Sequence, residues 1–332
     1  GNTNDYYGRS LEIYLHTMVV GAKEKVYIYI RNDVNSDWEY KQTLTPTDNP
    51  GDFGCSVSIH KDVIVVGAKN NNGKGAVYIY RKNNDTSFWE YKTKFQGEGD
   101  GDLLGHSVTV YDNKVVAGAV NDDDKGSQSG VVFVYEYNVE TTAWSQIQKI
   151  SKGVQYEIYG DSVSLYENIL AIGAEGQTST SRKGYVDLYN FNSTLFEFDT
   201  TLQPTDLTSN NVFGHSVKIY KNTIAIGAPE QNTYTGAVYV YVKEGTVWTQ
   251  KHKIVGQSTN SNFGNSVSVH ENLMIVGSHL YDSNNSNSGA AYIYDIETGN
   301  KLVTLVSQNS TENENFGTSV AIWENASIGT PK

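Results

Sequence analysis

The chain has 332 residues, a formal net charge of −12 and a charged fraction of only 19%, with 24 tyrosines, 31 glycines and 5 prolines. No apolar run of about 18 residues exists, so no membrane-inserting helix is expected, and no basic stripe exists that would suit nucleic acid. Tyr, Val and Ile are too abundant for a disordered chain, and the length suits either two domains or one closed repeat architecture.

Read in chain order, the sequence repeats itself. An aromatic- or Leu-Gly-x-Ser block opens at Tyr7-Gly8-Arg9-Ser10-Leu11 and returns at Phe53-Gly54-Cys55-Ser56-Val57 and Leu104-Gly105-His106-Ser107-Val108. It recurs at Tyr159-Gly160-Asp161-Ser162-Val163, Phe213-Gly214-His215-Ser216-Val217, Phe263-Gly264-Asn265-Ser266-Val267 and Phe316-Gly317-Thr318-Ser319-Val320. The glycines of these seven blocks are 46, 51, 55, 54, 50 and 53 residues apart. Each of the first six is followed 13 residues later by a second glycine (Gly21, Gly67, Gly118, Gly173, Gly227, Gly277), while Gly329 follows 12 residues after Gly317. A third block is the alternating run typified by Val77-Tyr78-Ile79-Tyr80 and Val238-Tyr239-Val240-Tyr241, and a fourth starts at Trp38, Trp89, Trp144, Phe196 and Trp248.

Each block is a short β pattern. Ser56-Val57-Ser58-Ile59-His60 alternates, and Val63-Ile64-Val65-Val66 is the continuous apolar run of a strand covered on both faces. Two-residue turns such as Lys61-Asp62, Asp112-Asn113 and Glu271-Asn272 join the first two strands. No helical period is present. Four antiparallel strands per repeat of about 50 residues describe a blade of an all-β propeller. The repeats run 5–50, 51–101, 102–156, 157–210, 211–260, 261–313 and, partially, 314–332 of a single domain. The expected architecture has seven blades with an incomplete last one; six blades plus an extra hairpin is the alternative. Alternation puts the Tyr and Val/Ile sets on opposite blade faces, so most tyrosines are expected in inter-blade packing.

Phe213-Gly214 followed by Gly227-Ala228-Pro229, with Gly236–Tyr241 and Trp248-Thr249-Gln250, resembles the FG-GAP repeat of integrin α-chain propellers. The resemblance spans essentially the whole chain. It implies a β-propeller and an extracellular setting in adhesion or assembly. Integrin-type repeats often carry a calcium loop in the first hairpin; the two-residue turns here leave no room for one, so the chain is closer to the short-hairpin variety of the repeat.

Candidate metal ligands lie elsewhere. Asp122, Asp123 and Asp124 follow the Gly118 turn, and Asp100 and Asp102 precede the first strand of the same repeat. Clustered carboxylates are oxygen ligands of the kind calcium takes, with a solvated acidic loop as the competing reading. Both loops flank one blade's first two strands, so they are expected on one face, where they could share an ion. No other cofactor is indicated. His106 and His215 occupy equivalent slots, as do His60 and His270, and repeat equivalence is expected to hold them apart around the ring, too far for one zinc ion. Cys55 fills a slot held elsewhere by Arg, His, Asp, Asn or Thr and reads as a neutral substitution. The lone cysteine excludes an internal disulfide and a Cys-based zinc site. The recurring Ser is expected to be a local hydrogen-bonding partner. No Gly-x-Ser-x-Gly elbow, His-Glu-x-x-His or phosphate-binding loop occurs, so an enzyme is not expected.

Sequons at Asn84, Asn192, Asn284, Asn309 and Asn325 fall in predicted loops, outer edges or a hairpin turn, as glycosylation requires. Gly1 and the lack of a signal peptide suggest a processed or excised segment. The leading functional reading is a non-enzymatic extracellular or cell-surface adhesion or assembly module, binding other proteins through loops 45–52, 97–102, 121–129, 175–183, 229–235 and 279–288. A carbohydrate-binding propeller is the alternative, and a hydrolase or lyase with a unique His and carboxylate cluster on the central channel is a further one.

Overall fold

A computed structural model describes residues 5–48, 51–176, 183–208, 210–282, 285–308 and 312–323. Six four-stranded antiparallel sheets, each in the order one-two-three-four, stand around a central channel. The innermost strands are Ser10–Tyr14, Phe53–His60, Leu104–Tyr111, Tyr159–Tyr166, Ser216–Tyr220 and Ser266–His270. All six first hairpins turn in two residues, and the first turn residue, as at Lys61, Asp112 and Glu271, takes the left-handed φ near +50°. The described helical residues are the single turns Asn71–Gly73 and Gln231–Tyr234.

The core is a series of inter-blade layers. Tyr78, Tyr80 and Trp89 of blade two bury against Val19, Val26, Ile28 and Leu44 of blade one. Tyr239, Tyr241 and Trp248 of blade five cover Val186, Leu188 and Leu202 of blade four in the same way. Each such side chain contributes roughly 1.5–3 kcal/mol by leaving water. In every blade the pairing of strands three and four shifts register at the equivalent place, as between Ile79 and Tyr80 or Val240 and Tyr241. The extra residue on the outer strand (Lys92 and Lys251 in those two) marks a β-bulge, which increases the strand twist.

The Gly-x-Ser pattern is an inter-blade joint rather than a local one. The first glycine of each repeat has φ between +85° and +96°, a region open to glycine. Its carbonyl points at the preceding blade, where the Ser hydroxyl donates to it: Ser10 to Gly54 (2.9 Å), Ser56 to Gly105 (2.7 Å), Ser107 to Gly160 (2.7 Å), Ser162 to Gly214 (2.6 Å) and Ser216 to Gly264 (2.8 Å). The second glycine is the seat for that same carbonyl. A Cβ on Gly67 would lie 2.0 Å from the Gly105 oxygen, and one on Gly173 would lie 2.1 Å from that of Gly214.

The expectation of seven blades is not met among the described residues, which form six four-stranded blades, as in the six-blade alternative. The seventh repeat joins no sheet there, because a strand exists only through a partner's ladder; residues 324–332, including Gly329, lie outside the described residues. Residues 316–323 nonetheless fill the seventh position of the inner ring. Ser266 donates to Gly317 (2.9 Å) and Ser319 donates to Gly8 (2.6 Å). Phe316, Val320 and Ile322 pack on Ile275, Ala291 and Ile293 of blade six, while Ala321 and Trp323 pack on Leu11, Ile13, Met18 and Val20 of blade one. The ring is therefore closed by seven serine–glycine joints around six sheets.

Candidate functional site: the central channel and the loop face

The residue after the first glycine of each of the first six repeats lines one mouth of the channel: Arg9, Cys55, His106, Asp161, His215 and Asn265. Equivalent slots in blades three, four and five bring three ionisable groups together. His106 Nε2 lies 3.1 Å from Asp161 Oδ1, His215 Nδ1 lies 3.4 Å from Asp161 Oδ2, and His215 Nδ1 lies 3.1 Å from Glu175 Oε2. This corrects the expectation that repeat equivalence keeps the histidines apart. On the innermost strands, neighbouring equivalent positions are within side-chain reach of one another. His106 and His215 meet on the single carboxylate between them. Among the described residues, Asp161, Glu175 and His215 are the one group of His, Cys, Asp or Glu placed to converge on a metal ion. Glu175, which follows strand two of blade four, carried no sequence signal as a channel residue.

Burial opposes charge on these groups, but hydrogen bonds to His106 and His215 outweigh it and hold the Asp161 carboxyl far below the usual range. Burial likewise opposes charge on His215, and its bonds to Asp161 and Glu175 prevail, raising it to about 10. Cys55 donates to the Gly105 carbonyl (3.3 Å), and burial pushes its thiol up, which is the behaviour of an inert cysteine.

At the other mouth, the last residue of each inner strand forms a closed aromatic belt. Centroids run Tyr14–His60 4.7 Å, His60–Tyr111 4.2 Å, Tyr111–Tyr166 5.2 Å, Tyr166–Tyr220 5.0 Å, Tyr220–His270 4.6 Å, His270–Trp323 4.4 Å and Trp323–Tyr14 4.8 Å. Such contacts are worth about 0.5–1.5 kcal/mol each beyond the area they bury. Above the belt is a cavity of about 190 Å³, where Lys218 of blade five bonds both Glu12 oxygens of blade one at 2.7 and 2.8 Å. In blades two, three, four and six the same layer holds Ser58, Thr109, Ser164 and Ser268, each accepting a backbone N–H from the next repeat.

The two acidic loops meet around a lysine, through Glu98, Asp122 and Asp124 rather than through Asp100, Asp102 or Asp123. Lys149 Nζ lies 2.8 Å from Glu98 Oε2, 2.6 Å from Asp124 Oδ2 and 3.4 Å from Asp122 Oδ2. Asp122 is buried; its Oδ1 accepts the Asp124 N–H, and burial pushes its carboxyl up. Asp102 accepts the Gly99 N–H at 2.5 Å, Asp100 lies 3.9 Å from Lys74 and is exposed, and Asp123 is exposed. The lysine belongs to the repeat: Lys94, Lys149 and Lys253 each stand five residues after Trp89, Trp144 and Trp248. Each clamps a carboxylate of the loop entering its blade, Lys94 to Asp48 (2.6 Å) and Lys253 to Asp206 (2.5 Å) in the other two. Lys149→Gln is expected to cost about 2–3 kcal/mol, because it strands the buried Asp122 charge. Millimolar calcium, which can take the ammonium's place among these oxygens, is expected to raise the melting temperature of that variant more than that of the parent chain.

Asn84 and Asn192 are exposed in the outer hairpins of blades two and four, and Asn192 donates to Glu197 (2.7 Å). Asn284, Asn309 and Asn325 lie outside the described residues.

The radial four-stranded sheets and the closed inner ring define a β-propeller. Residues 38–80, 196–241 and 248–294 match the FG-GAP repeat family. The chain is thus a β-propeller that carries FG-GAP repeats over those three stretches. Among solved structures it is similar to Sqt1 of Saccharomyces cerevisiae, with 12% identity and a TM-score of 0.57, over 97% of this chain and 79% of that one. At that identity the likeness concerns the fold alone. No curated protein sequence matches the chain.

Proposed function

We propose that this propeller is a non-enzymatic protein-interaction module of an extracellular or cell-surface adhesion or assembly system, and that it binds through its loop face. The observation that carries this reading is the way the loops are built. The loop after strand two of a blade is zipped by backbone bonds to the loop entering the next inner strand: Gly101 N–H to Gly73 O (2.6 Å), Tyr156 to Ser127 (2.9 Å), Asn262 to Tyr234 (2.9 Å) and Asn313 to Ser286 (2.9 Å). The result is a preorganised rim of non-repeating sequence. It exposes apolar anchors of the kind that dominate protein interfaces: Val154 is 47%, Tyr156 42% and Tyr234 47% accessible. The exposed sequons Asn84 and Asn192 and the inert single cysteine suit a secreted setting.

Cross-linking mass spectrometry in the native material tests this. Cross-links from Lys74 or Lys125 on the loop face to a second polypeptide are expected, and a Tyr156→Ser, Tyr234→Ser double variant is expected to lose them. Cross-links confined to the chain itself would overturn the reading. One observation favours glycan binding as a second reading: a hollow of about 240 Å³ at Asp48, Tyr78, Tyr80 and Lys94 is edged by Tyr91, which is 55% exposed and open to stacking on a sugar.

A further inference from the structure

We infer that Asp161, Glu175 and His215 form a binding site for a divalent transition-metal cation at the centre of the loop face, with His106 as its supporting residue. Three observations carry this. First, two of the three donor pairs are already at ligand spacing, and all three donor atoms lie within 4.8 Å of one another. Around an ion with bonds of about 2.1 Å, neighbouring donors stand about 3.0 Å apart in octahedral and about 3.4 Å apart in tetrahedral geometry. His215 Nδ1 is 3.1 Å from Glu175 Oε2 and 3.4 Å from Asp161 Oδ2.

Second, the Asp161 side chain is only 8% exposed, and its buried Oδ2, pointing into this cluster, has the long His215 contact at 3.4 Å but no hydrogen bond of ordinary geometry. A buried carboxylate oxygen left so is costly unless something binds it. Third, the other oxygen is already engaged. His106 Nε2 sits 3.1 Å from Asp161 Oδ1, the arrangement in which an outer residue orients a ligating carboxylate.

The donor set names the class of ion. Two carboxylates with an imidazole suit zinc and its first-row neighbours, whereas calcium and magnesium take oxygen ligands. Three protein ligands leave a further position for water or for a donor group from outside the chain. The site is distinct from the acidic loops around Lys149, and it does not depend on what the loop face binds.

The test uses the whole chain after dialysis against a chelator. Zinc is titrated in competition with a chromophoric chelator, and cobalt is added separately so that its visible absorption reports the ligand field. One equivalent of zinc is expected to bind with micromolar or tighter affinity, and cobalt is expected to give bands that zinc removes. Asp161→Asn and Glu175→Gln are each expected to weaken zinc at least tenfold, while Asp206→Asn on the same face leaves it unchanged. Circular dichroism checks the fold of each variant. Glu175→Gln keeps the test decisive if the change at the more deeply buried Asp161 prevents folding. No zinc bound by the parent chain at 100-micromolar order, or equal binding by folded Glu175→Gln, would overturn the site and leave the cluster as an ion-pair lock between blades.

Discussion

Gly227→Ala is expected to destabilise the ring by more than about 4 kcal/mol, enough to remove most of the stability of an ordinary domain. The added Cβ would stand 2.0 Å from the Gly264 oxygen and 2.3 Å from Ser216 Oγ. Neither can withdraw cheaply. The Gly264 carbonyl is held by Ser216 at 2.8 Å, and the Gly264 N–H is tied to the Gly277 carbonyl at 3.0 Å, so a shift at one joint passes to the next. Gly245→Ala is the comparison: that glycine has φ +63° and nothing within 4 Å of its Cβ position, so the cost there is the left-handed penalty of about 1 kcal/mol. Urea unfolding of the two variants separates the cases. Equal midpoints would mean that the glycine seat yields and that the joint is not what holds the blades.

The second large effect is acid destabilisation centred on His60. Burial in the aromatic belt lowers this imidazole from 6.5 to about 4, against a smaller opposing pull from Asp112. Geometry agrees: His60 Nδ1 accepts the Asp112 N–H at 2.9 Å, so the ring is neutral at that nitrogen, and its face stacks on Tyr111. The folded value lies below the unfolded one. Stability from the neutral ring is therefore complete above about pH 6.5 and is lost as pH falls toward 4, where the unfolded chain binds the proton first. The side chain is 10% exposed, so little screening applies, and the loss by pH 4.5 is about 2 kcal/mol. His279, also lowered to about 4 by burial, adds a parallel loss. His60→Tyr installs the residue found at the belt positions of Tyr14, Tyr111, Tyr166 and Tyr220, and is expected to remove about half of the pH 4.5–7 difference in urea midpoint. An unchanged difference in that variant would place the acid sensitivity elsewhere.

Much of the fold was legible because a propeller repeats its local solution. Hairpin turns, inner strands and the Tyr and Val faces follow from spacing and alternation, and these depend on neighbours along the chain. The bulge in every outer strand was not legible, since one inserted residue in a polar strand leaves the apolar pattern intact. The partner of the recurring serine was not legible for a related reason. Its acceptor is about 50 residues away, on the next blade.

The candidate site divides the same way. The acidic loops around Asp102 and Asp122 could be read from composition, but not the Lys149 ammonium between them, because it arrives from an outer strand. His106, Asp161 and His215 are recognisable as equivalent slots, but equivalence along the chain says nothing of their distance in space. How far apart seven inner positions stand depends on the radius of the closed ring, and no spacing along the chain encodes that radius. The sequence alone thus determined the repeat, its β character and the slots that vary. The tertiary structure decided the six sheets with a seventh inner position, the aromatic belt, the lysine clamps and the meeting of His106, Asp161, Glu175 and His215. Those features arise only when strands from different blades are brought around one axis.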